Sequence, residues 1–499
     1  MSQEEPATTP FVDWYGIWAG HGGVGEDGLS WIQDPPLGDL QLKIQPGRWS
    51  EPIFAEAEHP WETGGMIPGF AFPDEGKLKV WYQTKGDDGI SYEAYAETTD
   101  GYTWHKPELG LVEYLGSSAN NLLHPTEYFW LRCVFKDPHA PPEERYKSTV
   151  PSGMIFIDGV GDPDLTKERY YEMRTAMQHE GMGPDQIRQK LEMHQIIKGA
   201  VSPDGLRWTA LEQPLRDLGS LTLDGEYYTT YDHERSEYVA YHRGHSERRR
   251  CIRRSTAKAF DQWEEPQFVF KPDPQDPIDV DVYSCAYCKY PHGSLHLMFL
   301  PFYHRCTSTV DVQMATSRDG LLWSRPERVP IIPRGKYAAV YARRNLVPLN
   351  NEEYGLLFTG TSRRHDFHTY TSDGGDEAAS RNDFRWAVWK RDRLVALEAL
   401  AEARFTTVQR ECHGSQMCLN YETETGGWVR VEIVQPPVTP PQPVEPFEGF
   451  GFDDADVLVG DELDRVVTWN GSADLSTLAG RQVSLRFHLC RARLFSVSI

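Results

Sequence analysis

The residues of this chain best suited to chemistry are carboxylates that recur at one position of a repeating hairpin. Glu62 precedes a turn at Asp74, Glu127 one at Asp137, and Asp224 one at Asp232, each by about 8 to 12 residues, with Glu226 beside Asp224. Asp279 and Asp281 stand in the corresponding run from Pro277 to Tyr283. Carboxyl groups gathered at one point can divide labour: one that burial keeps protonated near neutral pH acts as a general acid, while its partner stays ionised as base or nucleophile. A fifth repeat offers Tyr337, Tyr341, Arg343 and Arg344 instead. Trp61 and Tyr283 lie next to the carboxylates and carry flat apolar faces, although each can equally serve a core. With 74 acidic residues in the chain, each carboxylate also has a structural reading as a turn former or a solvated charge.

The repeat itself is marked by tryptophans followed three or six residues later by proline, at Trp49, Trp104, Trp208, Trp263 and Trp323, with gaps of 55, 104, 55 and 60 residues. A signal at such intervals is an array of one structural unit, and the double gap holds an insertion. Three of the tryptophans end the phrases Thr98 to Trp104, Ser202 to Trp208 and Ser317 to Trp323, each with Asp-Gly at its centre. That phrase reads as a hairpin, because Asp bonds its own backbone and Gly supplies positive φ. Short paired strands recur between the tryptophans, for example Val80 to Tyr82 and Tyr238 to Tyr241. Five small antiparallel sheets repeated in this way predict an all-β fold, a five-bladed β-propeller over residues 1–390. Trp49 precedes the first inner strand, so it is expected to complete a blade begun near Trp386 and Trp389, closing the ring.

Two regions depart from the repeat. Residues from about 160 to 197 carry two runs of helix formers separated by Gly181 to Pro184, a helical hairpin inserted in blade two. Its Met173, Met177, Met182, Met193, Tyr170 and Tyr171 suggest a lid or a contact between copies through residues 165–193. After about residue 391 the alternating runs Trp428 to Val434 and Val483 to Leu489 read as strands with one buried face, a C-terminal β-sandwich over 391–499.

Composition narrows the function classes. A formal charge of −23 over 499 residues disfavours nucleic acid and anionic membrane surfaces as partners. There is no run of 18 apolar residues, and the opening Met-Ser-Gln-Glu-Glu lacks signal-peptide character, so a cytoplasmic location is expected. Eight cysteines without framework spacing are expected to be free thiols. Cys285 and Cys288 point to opposite faces of a strand, which argues against zinc. No cofactor or metal is expected.

A five-bladed propeller followed by a sandwich resembles the glycoside hydrolases of families 32 and 43. Thr98 to Glu113, Val134 to Lys147 and Leu475 to Phe487 are similar to a bacterial group labelled family-32-like. The resemblance implies three carboxylates at the channel mouth, from blades one to three, acting on a carbohydrate. It implies Glu62 as base or nucleophile and Asp224 or Glu226 as acid, with Trp61, Glu127, Asp279, Asp281, Tyr283, Tyr341 and Arg343 contacting substrate. The signatures Asn-Asp-Pro, Arg-Asp-Pro and Glu-Cys are absent at these places; Glu411-Cys412 falls in the sandwich and Asp137-Pro138 in a turn. A carbohydrate-binding propeller without turnover is therefore the alternative. The basic cluster His242 to Arg250, with Arg253, Arg254, Arg343 and Arg344, adds a second: phosphorolysis through an anion site.

Overall fold

The Asp-Gly phrases close tight turns that also latch neighbouring blades. The computed structural model describes residues 8–24, 30–162, 165–219, 227–291, 293–366, 382–438 and 444–499. In it Asp100 Oδ1 accepts the N–H groups of Tyr102 and Thr103 at 2.8 and 2.7 Å, and Gly101 sits at φ +77°, a conformation glycine adopts without steric cost. Asp204 and Asp319 cap their turns in the same way. The glycine carbonyls accept bonds from aromatic residues of adjacent blades: Trp386 Nε1 donates to Gly101 at 2.8 Å, Trp81 Nε1 to Gly205 at 2.7 Å and Tyr241 Oη to Gly320 at 2.9 Å. Beyond the first and third turns the chain makes single bridges, Glu97 with His105 and Thr316 with Ser324, and beyond the second only the two-residue strand Thr209–Ala210.

The fold is nearly all β, a propeller followed by a sandwich. The first sheet orders Met66–Asp74, Lys77–Lys85, Ser91–Thr98 and Leu122–Pro125. The second contains Val134–Lys136, Tyr146–Ile157, Leu191–Ser202 and Thr209–Ala210, and the third Tyr227–Asp232, Glu237–Ser246, Arg249–Ala257 and Gln267–Phe270. A larger sheet divides at its one parallel pair, Val310 with Ala339, into two antiparallel runs, which correspond to the fourth and fifth blades expected from the repeat. Its last strand is Arg48–Trp49, paired with Val388 and Ala387. The amino-terminal strand thus closes the ring and covers what would be an open edge.

The C-terminal sheet rests on two strands of 17 residues, Cys418–Val434 and Gln482–Ser498. Register shifts, one of them between Thr423 and Trp428, let such long strands bend over a buried core that includes Leu419, Val431, Leu485 and Phe487. Residues 8–10 and 37–44, which the sequence reading counts with the propeller, pair here: Thr8 with Ser498 and Ile44 with Val395. The alternating Leu40, Leu42 and Ile44 need a partner strand, and the propeller's open edge is already taken by Arg48–Trp49.

The insertion in blade two stands on the mouth side of the ring. Val134, which begins that blade's inner strand, pairs with Ser148, yet the strand through Ser148 stays paired with Leu191–Ser202 as far as Ile157. At about 3.3 Å per residue the extension rises roughly 30 Å beyond the inner strand. The helices Lys167–His179 and Pro184–Lys190 cap it, and Ile155, Ile187 and Leu191 are buried. Met173, Met177, Met182 and Met193 are half-buried, so part of the apolar content from which a contact between copies is expected is covered already.

Toward the outer end of this extension, where His194 pairs with Met154, His194 bonds Asp217 through Nδ1 at 2.8 Å and Glu192 through Nε2 at 2.9 Å. Burial works against the imidazolium, but the hydrogen bonds and charges of the two carboxylates outweigh it and raise the His194 pKa above 6.5. A folded-state pKa raised in this way stabilises fully below 6.5, and that contribution is lost as pH rises through the folded value. Amide exchange over residues 216–219 is expected to accelerate between pH 6 and pH 8 in the wild type. In His194→Gln the same amides should exchange with no added pH dependence beyond intrinsic chemistry.

Candidate functional site at the propeller mouth

The starts of the inner strands define the mouth, and the carboxylate best placed there is Asp281. It lies in Val280–Val282, is 3 % exposed, and accepts the Arg250 guanidinium at 3.1 Å and the Arg250 backbone N–H at 3.3 Å. Next to it the guanidinium of Arg243 lies 4.6 Å from the centre of the Tyr283 ring and that of Arg250 5.5 Å. Tyr283 is 5.8 Å from Tyr341 and 4.6 Å from His365, centre to centre, and the Tyr341 hydroxyl meets His365 Nδ1 at 2.9 Å. Arg343, two residues on from Tyr341, donates to Thr359 Oγ1 at 3.0 Å. Burial and the nearby charges of Arg243 and Arg250 hold His245 below its ordinary pKa. Aromatic faces with aligned guanidinium groups and an ionic carboxylate can seat a polyhydroxylated ring by stacking and charge-assisted hydrogen bonds.

Below this cluster the channel is closed by Arg344. Its Nη1 reaches Cys133 Sγ at 2.5 Å and the Thr229 carbonyl at 2.8 Å, while Asn345 Nδ2 donates to the Ala71 carbonyl at 2.9 Å. Inner strands from several blades are therefore pinned to one another at the axis. Blade one's inner strand begins at Met66-Ile67-Pro68, and Arg132-Cys133 precede blade two's at Val134, so neither start carries a carboxylate.

The other sequence candidates lie elsewhere. Glu62 sits in a short 3₁₀ helix, Pro60–Glu62, ahead of the inner strand, and is 0 % exposed. Lys106 contacts its two oxygens at 2.8 and 3.0 Å, Tyr82 Oη donates at 2.8 Å and the Glu58 backbone N–H at 2.9 Å. Four donor contacts engage both its oxygens, and it also lines a cavity over blade one. Burial and this carboxylate's charge raise the Tyr82 hydroxyl well above its ordinary pKa. Trp61 donates to Asn121 Oδ1 at 2.8 Å and stacks on His59, which places it in the flank of blade one. Glu127 is exposed in the turn after Leu122–Pro125. Neither acid stands at an inner-strand start, because the inner strand Met66–Asp74 has nine residues and Val134–Lys136 only three, too uneven for one fixed offset from the turn. Asp279 accepts the Cys306 backbone N–H at 3.2 Å, and Tyr337 stacks on Trp49 at 5.1 Å, off the mouth. Asp224 and Glu226 fall outside the described residues; Glu226 directly precedes Tyr227. Asp137 is buried at a strand end and bonded by Tyr238, as its turn position implies.

One acid near the mouth was missed. Glu93, on the third strand of blade one, is fully buried, and Gln83 Nε2 donates to Oε1 at 3.3 Å. Burial, only partly offset by Arg132 and the Leu131 N–H, pushes its pKa up to about 8. The signal was available in Tyr92-Glu93-Ala94-Tyr95, where a charge alternates with aromatics in a strand covered on both faces.

A cavity of about 720 Å³ opens on the mouth side of blade one, and its lining includes Phe54, Glu62, Gly65, Ile67, Gln83 and Phe384. Among the described residues no group of three or more His, Cys, Asp or Glu is arranged to hold a metal ion, and Cys285 and Cys288 are buried free thiols. Among the described residues no helix is long and apolar enough to cross a membrane.

Mouth and architecture together define a β-propeller with an appended β-sandwich and a polar, aromatic channel entrance. No protein-family model matches the sequence, and no curated protein does. Solved structures similar to it include the sucrose-6-phosphate hydrolase from Lactobacillus gasseri, with 10 % identity, 92 % of each chain covered and a TM-score of 0.38. A GH32 β-fructofuranosidase from Bombyx mori in complex with sucrose is similar at 10 % identity, covering 91 % of this chain and 94 % of its own, with a TM-score of 0.39. The catalytic domain of a Coprinopsis cinerea GH62 α-L-arabinofuranosidase is similar at 12 % identity, covering 70 % and 98 %, with a TM-score of 0.36. The functional reading rests on the side chains at the mouth.

Proposed function

We propose that the protein processes a glycoside at the propeller mouth. One sugar ring lies against Tyr283 and Tyr341, and the remainder of the substrate extends toward the cavity over blade one. Asp281, ion-paired with Arg250, acts as the anionic partner. The acid is Glu226 or Asp224, which shortly precede Tyr227 in the sequence. The observation that supports this reading is the convergence of Asp281, Arg250, Arg243, Tyr283 and Tyr341 at one point. Glu62 is left out, because its carboxylate is consumed by Lys106 and Tyr82.

Chromogenic furanosides and pyranosides are the first substrates to test, with and without inorganic phosphate, since Arg243 and Arg250 would equally suit phosphorolysis. On an active substrate, Glu226→Gln or Asp224→Asn, together with Asp281→Asn, are expected to lower kcat by about 10²- to 10⁴-fold, the usual worth of a general acid or base. Full turnover in all three variants would refute the site. The absence of carboxylates where blades one and two begin their inner strands favours a second reading, sugar binding without turnover. In that case no substrate is cleaved, while Tyr283→Ala still weakens sugar binding.

A further inference from the structure

The seam between propeller and sandwich holds a second cavity, of about 490 Å³, at the end of blade four opposite Asp281. Both domains build it. From the sandwich side comes the turn Asp13-Trp14-Tyr15, anchored by buried Phe11 and Val12 and by the Trp18 N–H donating to the Thr406 carbonyl at 2.8 Å. From blade four come Arg318, Leu322 and Trp323. Trp14 is 47 % exposed, Tyr15 70 % and Leu322 79 %, which is costly apolar surface unless something uses it.

These rings are held in place. Asp13 takes Arg318 Nη2 at 2.9 Å and Nε at 3.1 Å, a bidentate pair across the seam, and accepts the Tyr15 N–H at 3.0 Å. The same guanidinium lies 5.1 Å from the centre of the Tyr15 ring. Asp13 occupies Nε and Nη2, and among the described residues no partner is found for Nη1, which leaves donors at the cavity rim. Ligand sites favour domain interfaces, volumes of roughly 300 to 1,000 Å³ and aromatic linings with a few fixed polar groups. A pyranose presents an apolar C–H face to a ring and hydroxyls along its edge, which matches Trp14 and Tyr15 beside Arg318.

We propose that this seam cavity is a second carbohydrate-binding site, taking a neutral pyranose unit of an oligosaccharide on the face of the propeller away from the mouth. It shares a ligand class with the mouth reading but none of its residues. The test measures binding of maltohexaose, cellohexaose and xylohexaose to the full chain by titration calorimetry and tryptophan fluorescence. At least one hexasaccharide is expected to bind, and Trp14→Ala should weaken it by about tenfold or more with the melting temperature unchanged, since Trp14 lies on an exposed turn. Tyr283→Ala should leave that binding intact, which separates this site from the mouth. The proposal is overturned if none of the three binds, if Trp14→Ala binds as the wild type does, or if binding is lost only in Tyr283→Ala. A Trp14→Ala change confined to sedimentation mass would likewise overturn it, marking the patch as a protein contact.

Discussion

Lys106→Met will destabilise the protein by about 3 to 5 kcal/mol, the cost of leaving a buried carboxylate without its counter-ion. Glu62 is sealed from solvent and Lys106 nearly so, with 6 % of its side chain exposed. After the substitution, Tyr82 and the Glu58 N–H remain as donors, too few to replace an ammonium group in a dry site. Glu62→Gln in the Lys106→Met background removes the orphaned charge and should recover most of the loss. Urea unfolding of the two single variants and the double variant gives the coupling directly. If Lys106→Met proves as stable as the wild type, the carboxylate is not held as described, and Glu62 returns as a candidate for chemistry.

Glu93→Gln should stabilise the protein in alkaline solution and leave it nearly unchanged in acid. The folded carboxyl titrates at about 8 against an ordinary value of 4.5, so between those values the native state binds more protons than the unfolded chain. Stability therefore falls as pH rises from 4.5 to 8, and the penalty is complete above 8. At about 1.36 kcal/mol per pH unit the linkage is on the order of 5 kcal/mol. Glutamine mimics the neutral acid in shape and cannot ionise. Denaturant midpoints at pH 5, 7 and 9 should show the wild type losing stability along the series relative to the variant. Parallel pH profiles would mean that Glu93 is ionised at neutrality.

How much of the site was legible follows from the range of each interaction. Asp281, Tyr283, Tyr341 and Arg343 were named from the repeat and do assemble, because inner-strand position is set by the same period that marks the blades. Glu62 and Glu127 were named by the same rule but lie outside the inner strands, whose lengths of nine and three residues vary too much for a fixed offset. Glu93 was passed over because it belongs to no repeat position. What singles it out is burial against Leu131 and Arg132 of the next blade.

By itself the sequence determined the β-propeller, its ring closure through Trp49, the helical insertion and the C-terminal sandwich. Those features are written in turn chemistry, side-chain alternation and a repeat, each encoded within a few neighbouring residues or one period. Only the tertiary structure decided that Asp-Gly carbonyls latch adjacent blades, that residues 8–10 and 37–44 serve the sandwich, and that two domains share a seam cavity. It also decided which acids are available. Ionisation and solvent contact depend on groups remote in the chain, such as Lys106 for Glu62, 44 residues away. No local pattern specifies which distant charge will arrive beside a carboxylate.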